Sequence, residues 1–509
     1  MTGQIVVVGD TLLDRDVEGV VNRLCPDSPV PVLDENTSVD RPGGAGLAAL
    51  FAAGRGFEVA LVTALADDEG GARLSQLLNA AGVQVYGLPL AGATPEKIRL
   101  RTRGRVLLRH DRGGPAGPPG EPSEAVLELL AEATAVLVSD YGRGVARHPT
   151  LRSALAAGTA PIVWDPHPRG PAAVPGVRLA TPNEVEAREL AGVAPGGSRL
   201  TNASRSAQAL RERWRAAAVA VTLGGEGALL SHAGATPLMV PAPGCADGDT
   251  CGAGDRFAAT ATLALAEGAL VSEAVQRAVV EASGYVAAGG VAEAVPVLTP
   301  LPSGAGTGLP AAAVPPVGRI VGDGPGVGLA ARATVPIAAV DWSDRIGPRA
   351  AGEVVARVRA VGGTVVATGG CFDLLHAGHV ATLQAARQLG DCLVVCVNSD
   401  ESVAGLKGPE RPLVRHADRA RLLAALGCVD AVVIFDEPTP NAVLSWLRPD
   451  VWVKGGDYGT GGDGPDLPEA EMLRRWGGYA VVVPYLDGRS TSSMIAAARA
   501  GARPVGGTR

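Results

Sequence analysis

DTCGAGDRFAATATLALAEG, residues 249–268, places a run of small residues at the start of an alanine- and leucine-rich helix. Small residues there let consecutive backbone N–H groups approach an anion, and the helix dipole favours negative charge at that end. Asp255 closes the turn and points into the same spot. It can accept the proton of an attacking hydroxyl while the amides of Gly252, Ala253 and Gly254 hold charge developing on a transferred phosphoryl group. The plainer reading of these residues is a glycine-rich turn with an N-capping aspartate. Outward from this stretch, apolar β-branched runs alternate with helical segments. IVVVG (5–9), VALVTAL (59–65), AVLVSD (135–140), PIVWD (161–165) and VAVTLGG (219–225) are expected as buried strands, and 45–56, 68–81, 123–132 and 203–215 as helices. The alternation predicts an α/β fold with a parallel sheet covered by helices.

The stretch from about 296 to 330 is rich in Pro, Gly and Ala and poor in charge, as a linker between domains would be. The expected organisation is a first domain over 1–298, a linker over 299–349 and a second domain over 350–509. In the second domain, helices at 350–361, 378–389, 416–426 and 440–447 alternate with strands at 364–370, 392–400, 431–435, 451–457 and 479–485. This is the pattern of a smaller doubly wound, Rossmann-like domain. The strand TVVATGG runs into Cys371-Phe372-Asp373-Leu374-Leu375-His376-Ala377-Gly378-His379, which puts two of the chain's seven histidines within four residues at a strand-to-helix turn. Imidazoles at a helix start can donate hydrogen bonds to an α-phosphate as it becomes five-coordinate. The same spacing could also serve a metal pair, although no further ligands are evident nearby.

Composition narrows the classes. Hydrophobic residues make up 47% of the 509, enough for sizeable cores, and aromatics only 3%, so Val, Leu and Ala must fill them. The net charge of −7 argues against a nucleic-acid partner, because binding a phosphate polymer needs a basic face. The seven cysteines form no Cys-x-x-Cys, and they read as reduced thiols of a cytoplasmic protein. The N-terminus runs straight into a strand with no basic leader. The uncharged stretch 294–317 carries six prolines, so it is not expected to cross a membrane.

The first half resembles the ribokinase (PfkB) family of sugar kinases. Pro42-Gly43-Gly44-Ala45, Asp67-Asp68-Glu69-Gly70, Asn183-Glu184-Val185-Glu186 and the 249–255 turn all match its motifs. Gly9-Asp10-Thr11-Leu12-Leu13-Asp14-Arg15, Arg23-Leu24-Cys25-Pro26-Asp27 and Ser139-Asp140-Tyr141-Gly142-Arg143-Gly144 look like its heptose 7-phosphate kinase branch. The resemblance implies that Asp255 is the base and that Gly252, Ala253 and Gly254 form the anion hole. Asn183 and Glu186 would position Mg²⁺ largely through water. Asp14, Gly43 and Gly44 would lie against the sugar, with Lys97 and Arg109, alongside Arg99, Arg101, Arg103 and Arg105, as candidates for its distal phosphate. The sequence departs from the branch at Arg256, where a small or hydroxylated residue is usual, and at His167-Pro168-Arg169-Gly170 in place of Pro-Lys-Gly.

The second half resembles the cytidylyltransferase-like nucleotidyltransferases through its His-x-Gly-His. Asn398-Ser399-Asp400 with Lys407, Arg411-Pro412, Arg419, Lys454-Gly455-Gly456-Asp457 and Gly488-Arg489-Ser490-Thr491-Ser492 fit the family's later blocks. That implies His376 and His379 at the transferred phosphate and Asp373 on the substrate side. It also implies Lys407, Lys454, Ser490, Thr491 and Ser492 at the nucleotide. The order of the two domains resembles bifunctional enzymes that phosphorylate heptose 7-phosphate and later adenylylate heptose 1-phosphate. Implied with it are ATP as substrate of both halves, Mg²⁺, a separate phosphatase acting between the steps, and a homodimer. Two alternatives stay open: the same fusion acting on another sugar or polyol phosphate, or one half retained only as a binding module.

Overall fold

In the computed structural model, residues 3–194, 196, 198–232, 234, 236–243, 248–291, 342–456 and 467–484 are described. The strand Gln4–Gly9 runs parallel to Glu58–Leu65 on one side and to Ala135–Ser139 on the other. Ile5, Val6, Val7 and Val8 are all fully buried, which explains an apolar run with no alternation: helices cover both faces. The sheet extends through Ile162–Asp165, Leu179–Ala180 and Val219–Thr222, then turns antiparallel at Gly227–Ser231 and Leu238–Pro241. The chain builds outward from Gln4–Gly9 to Val83–Pro89 and then crosses back to Ala135–Ser139. Strand order therefore reverses between Gln4–Gly9 and Ala135–Ser139, and a ligand crevice is expected at their carboxyl ends.

A second, four-stranded sheet consists of Pro31–Gly44, Thr11–Leu24, Gly92–Thr102 and Arg105–Pro115, in that order. Only the alternating stretch around 97–109 hinted at it. Residues 11–44 are dense in Asp, Arg, Gly and Pro, so their strand character is carried by pairing with neighbours rather than by local preference. Helix ends also shift for local reasons. The helix expected over 45–56 stops at Ala52, ahead of Gly54 and Gly56 at φ +73° and +87°. The helix expected over 203–215 begins at Arg199, because Ser198 caps it by accepting from the Thr201 amide.

The second half has the order Ala431–Phe435, Cys392–Asn398, Val365–Gly370, Val451–Gly456, Tyr479–Pro484, all parallel, as a doubly wound sheet requires. Its reversal lies between Val365–Gly370 and Val451–Gly456. The parallel pairing of Leu238 with Val482 joins this sheet to the first. Of the expected linker, 299–341 lie outside the described residues. A short 3₁₀ turn at Trp342–Arg345 precedes the helix Pro348–Ala360, which opens on a proline, a residue suited to a first helical turn. Among the described residues, no helix is long and apolar enough to cross a membrane.

Candidate active sites

Asp255 sits in the first turn of the helix Ala253–Ala266, 6% exposed. Gly252 precedes that helix at φ +82°, and a Cβ on it would lie 2.9 Å from both Leu47 and the Tyr285 hydroxyl. Tyr285 in turn donates to the Cys251 carbonyl at 2.6 Å, fixing the turn from behind. A cleft opens along this helix start, lined by Gly224, Gly225, Thr250, Ala253, Gly254 and Ser283 among others. Its glycine walls suit a nucleotide whose phosphates end at the turn.

The Asp255 carboxylate accepts from the Tyr141 hydroxyl at 2.8 Å (Oδ1) and 2.9 Å (Oδ2). Burial pushes its pKa up to about 7; the Tyr141 hydrogen bond works the other way, Asp14 adds to the rise and Lys97 opposes it. Tyr141 is delivered by the loop that follows Ala135–Ser139. Asp10, at the end of the first strand, organises that loop by accepting from the amides of Tyr141, Arg143 and Val145 at 3.2, 2.8 and 3.0 Å. Asp140 accepts from the Gly142 amide, but its Oδ2 is buried without a partner, and burial lifts its pKa to about 7. That oxygen lies against Gly170, where a Cβ would come within 1.6 Å of it. Gly170→Ala must displace Asp140 or the 167–170 loop, and it is expected to destabilise the first domain by about 2–3 kcal/mol, the overpacking range, as measured by chemical denaturation.

Asp14, which the sequence resemblance sets against the sugar, is 5% exposed and paired with Arg99 at 3.1 Å. Gly43 allows this approach, since a Cβ there would lie 2.7 Å from Asp14 Oδ2. Lys97 stands opposite Asp14 in register and makes no ion pair among the described residues. Lys97, Arg99 and Arg101 alternate along one strand and share a face. Arg99 and Arg101 are engaged by Asp14 and Asp16, whereas Arg109 is exposed and doubly bonded to Asp111. Arg103 and Arg105 are exposed at the strand ends. Arg256 turns away from the Gly252–Gly254 turn, pairing with Glu281 and lying 5.4 Å from the Phe51 ring centre, so this departure from the family pattern does not reach the cleft.

Asn183 and Glu186 form a capping box for the helix Glu184–Ala191. Asn183 Oδ1 accepts from the Val185 and Glu186 amides, and Glu186 Oε2 accepts from the Asn183 amide. Burial raises the Glu186 pKa. Among the described residues no group of three or more Asp, Glu, His or Cys is set to hold a metal ion. The half-buried Glu186 carboxylate fits Mg²⁺, which keeps most of its waters and takes one or two carboxylates plus substrate phosphates.

The second site lies at the reversal of the second sheet. His376 caps the helix Ala377–Arg387, its Nδ1 accepting from the Gly378 amide at 3.1 Å. A neutral His376 ring therefore carries its proton on Nε2. The His379 ring lies 3.9 Å from it, tilted by 32°. Burial, then His376, then Lys407, push the His379 pKa down to about 4, so it is a neutral imidazole at ordinary pH. Phe372, at φ +46°, lies 5.4 Å from His379 between ring centres. Asp373 is buried and accepts from Arg411 Nε at 2.5 Å and from the amides of Leu413 and Val414 at 2.6 and 3.0 Å. Burial alone would raise its pKa, but the Val414 amide, Arg411 and the Leu413 amide together hold it below the usual carboxylate range. Asp373 thus clamps segment 411–414 onto the histidine turn. Arg419, 1% exposed, bonds Asp400 and the carbonyls of Val414 and Cys371. Lys454, at the carboxyl end of its strand, pairs with Glu469 at 3.2 Å, and Lys407 is exposed at a helix end. Ser490, Thr491 and Ser492 lie outside the described residues.

Asp10, Asp140 and Tyr141 stand in motifs that carry the family resemblance but had no role assigned from sequence, and Asp165 was expected only as part of a strand. Asp165 accepts from Thr181, and burial pushes its pKa well above the usual range. A visible signal existed: Asp10, Asp140 and Asp165 each stand where a buried apolar strand ends, and adjacent parallel strands bring such ends together.

Comparison with known proteins places the pfkB family carbohydrate kinase model on residues 2–298 and the cytidylyltransferase-like model on 367–481. A curated relative from Streptomyces coelicolor, named bifunctional protein HldE, is 52% identical over 98% of this chain and 97% of its own. Proteins of the same name from Magnetococcus marinus and Halorhodospira halophila are 34% and 36% identical, over 96% and 97% of this chain and of their own. Among solved structures, a ribokinase from Arabidopsis thaliana complexed with ribose and ATP aligns with 58% of this chain and 96% of that one, at 22% identity and a TM-score of 0.47.

Proposed function

Since the chain belongs to the family of bifunctional HldE proteins, we propose that its first half phosphorylates D-glycero-β-D-manno-heptose 7-phosphate at C1 and its second half adenylylates heptose 1-phosphate, giving ADP-heptose and pyrophosphate. The chain is a bifunctional enzyme, a carbohydrate kinase followed by a nucleotidyltransferase, and it uses ATP. The observation that carries the reading is the buried Asp255 carboxylate beside the Gly252–Gly254 turn, on a chain whose family match spans both domains.

In this reading Asp255 takes the proton of the C1 hydroxyl as that oxygen attacks the γ-phosphorus and ADP leaves. The Gly252, Ala253 and Gly254 amides hold the transferred group. Asp14, Gly43 and Gly44 seat the sugar, and Lys97 and Arg109 meet its distal phosphate. Asn183 and Glu186 would hold Mg²⁺ through water, and the ion would supply charge neutralisation between the phosphates. In the second half, His376 and His379 donate to the α-phosphate while Lys407, Lys454 and Ser490–Ser492 face the nucleotide. Asp373 acts there by fixing Arg411 and its neighbours. The two units divide at a linker over 299–349. A separate phosphatase removes the 7-phosphate between the steps, the four-stranded sheet pairs two copies into a homodimer, and the enzyme works in the cytoplasm.

Mass spectrometry of products tests this. Purified protein with ATP, Mg²⁺ and heptose 7-phosphate should yield the 1,7-bisphosphate alone, and ADP-heptose only when a sugar-bisphosphate phosphatase is added. Turnover of a pentose or hexose phosphate in preference, or of CTP in the second step, would replace the heptose assignment.

A further inference from the structure

Tyr141 is held at three points. Its amide donates to Asp10 at 3.2 Å, its ring packs against Gly44, where a Cβ would come within 3.4 Å, and its hydroxyl bonds both oxygens of Asp255. The phenol has one proton, so that proton is shared between the two carboxylate oxygens. Among the described residues no other side chain hydrogen-bonds to Asp255. The charged and titratable groups facing it are Asp14 and Lys97 from the four-stranded sheet, Glu186, Asp165 and Tyr285. Four of these five are acids that gain nothing from an ionised neighbour.

A carboxylate this deep has lost its water, and the neutral acid is favoured unless a donor faces it. Tyr141 remains a donor throughout the working pH range, because burial and then the Asp255 charge raise its own pKa well above that of a free phenol. The contact geometry therefore keeps the base both ionisable and aimed.

We propose that Tyr141 is a positioning residue of the kinase half: it holds the Asp255 carboxylate beside the anion turn and cedes one oxygen of it to the sugar hydroxyl when the acceptor binds. The inference rests on the kinase reading above. The sugar proton passes to the ceded oxygen as the new C1–O–P bond forms and the bond from the γ-phosphorus to ADP breaks; Tyr141 keeps its own proton and donates to the other oxygen. The tyrosine touches the base and not the reacting atoms.

The test is the pH dependence of kcat/KM for the kinase reaction. Tyr141→Phe should move the acid limb upward by about one pH unit and lower the rate at pH 6 by about tenfold, since one unit is a tenfold change in ionised base. KM for ATP should change by less than twofold, and adenylyl transfer should be unaltered. Incorporation of 3-fluorotyrosine at position 141 should move the limb the opposite way, because the more acidic phenol is the stronger donor. This replacement is nearly isosteric, so it decides the matter if the phenylalanine variant does not fold. Profiles of both proteins that superimpose on the wild type would overturn the proposal. If heptose 7-phosphate itself is not turned over, the substrate reading fails instead, and the same profiles are taken with whichever sugar phosphate the kinase half accepts.

Discussion

Asp255→Asn is expected to lower kinase turnover by roughly 10²- to 10⁴-fold, the usual worth of a positioned general base, and to leave adenylyl transfer untouched. The amide keeps an oxygen that can accept from Tyr141, so the buried hydrogen bond and the local fold survive while basicity is lost. The wild-type profile carries a companion expectation. A base with a pKa raised to about 7 is mostly protonated at pH 6 and mostly ionised at pH 8. Kinase kcat/KM should therefore rise with pH through that range and then level off, whereas the asparagine variant should show no such limb. Retention of full turnover by Asp255→Asn, or loss of both activities in folded protein, would refute a base confined to the first site.

His376→Ala and His379→Ala should each lower adenylyl transfer by roughly 10²- to 10³-fold, the loss typical of removing one donor to a developing charge, with kinase turnover unchanged. The rings lie 3.9 Å apart, so they act as one unit, and the double variant should be little worse than either single one. His379, with its pKa depressed to about 4, is neutral over the whole range from pH 5.5 to 8, and adenylyl transfer should show no acid limb from it there. The kinase rate should climb through neutrality with Asp255, a limb to which His379 adds no counterpart in the transferase profile.

Much of this was legible in the sequence, for reasons that differ between sites. The buried strands announced themselves because strands covered on both faces need an unbroken apolar run, as Ile5–Val8 shows. The turn before Asp255 and the paired histidines were legible because each is a local device, complete within about eight residues. The four-stranded sheet was not, since Thr11–Leu24 and Pro31–Gly44 are rich in charged residues that break an apolar run and owe their extension to one another. Nor was the carboxylate set of Asp10, Asp140 and Asp165. Its members lie up to 155 residues apart in the numbering and meet only because parallel strands align their carboxyl ends.

The reciprocal bonding of Asn183 and Glu186 bears on how this region can be dissected. Deleting either side chain removes half of a helix cap and, on the proposed reading, a water-mediated magnesium ligand as well, so lost activity in an alanine variant would confuse disorder with lost magnesium. Glutamine at 186 keeps an oxygen for the Asn183 amide but discards the negative charge, and so separates the two. A melting temperature that holds while the magnesium requirement climbs would assign the charge to the ion and the shape to the helix.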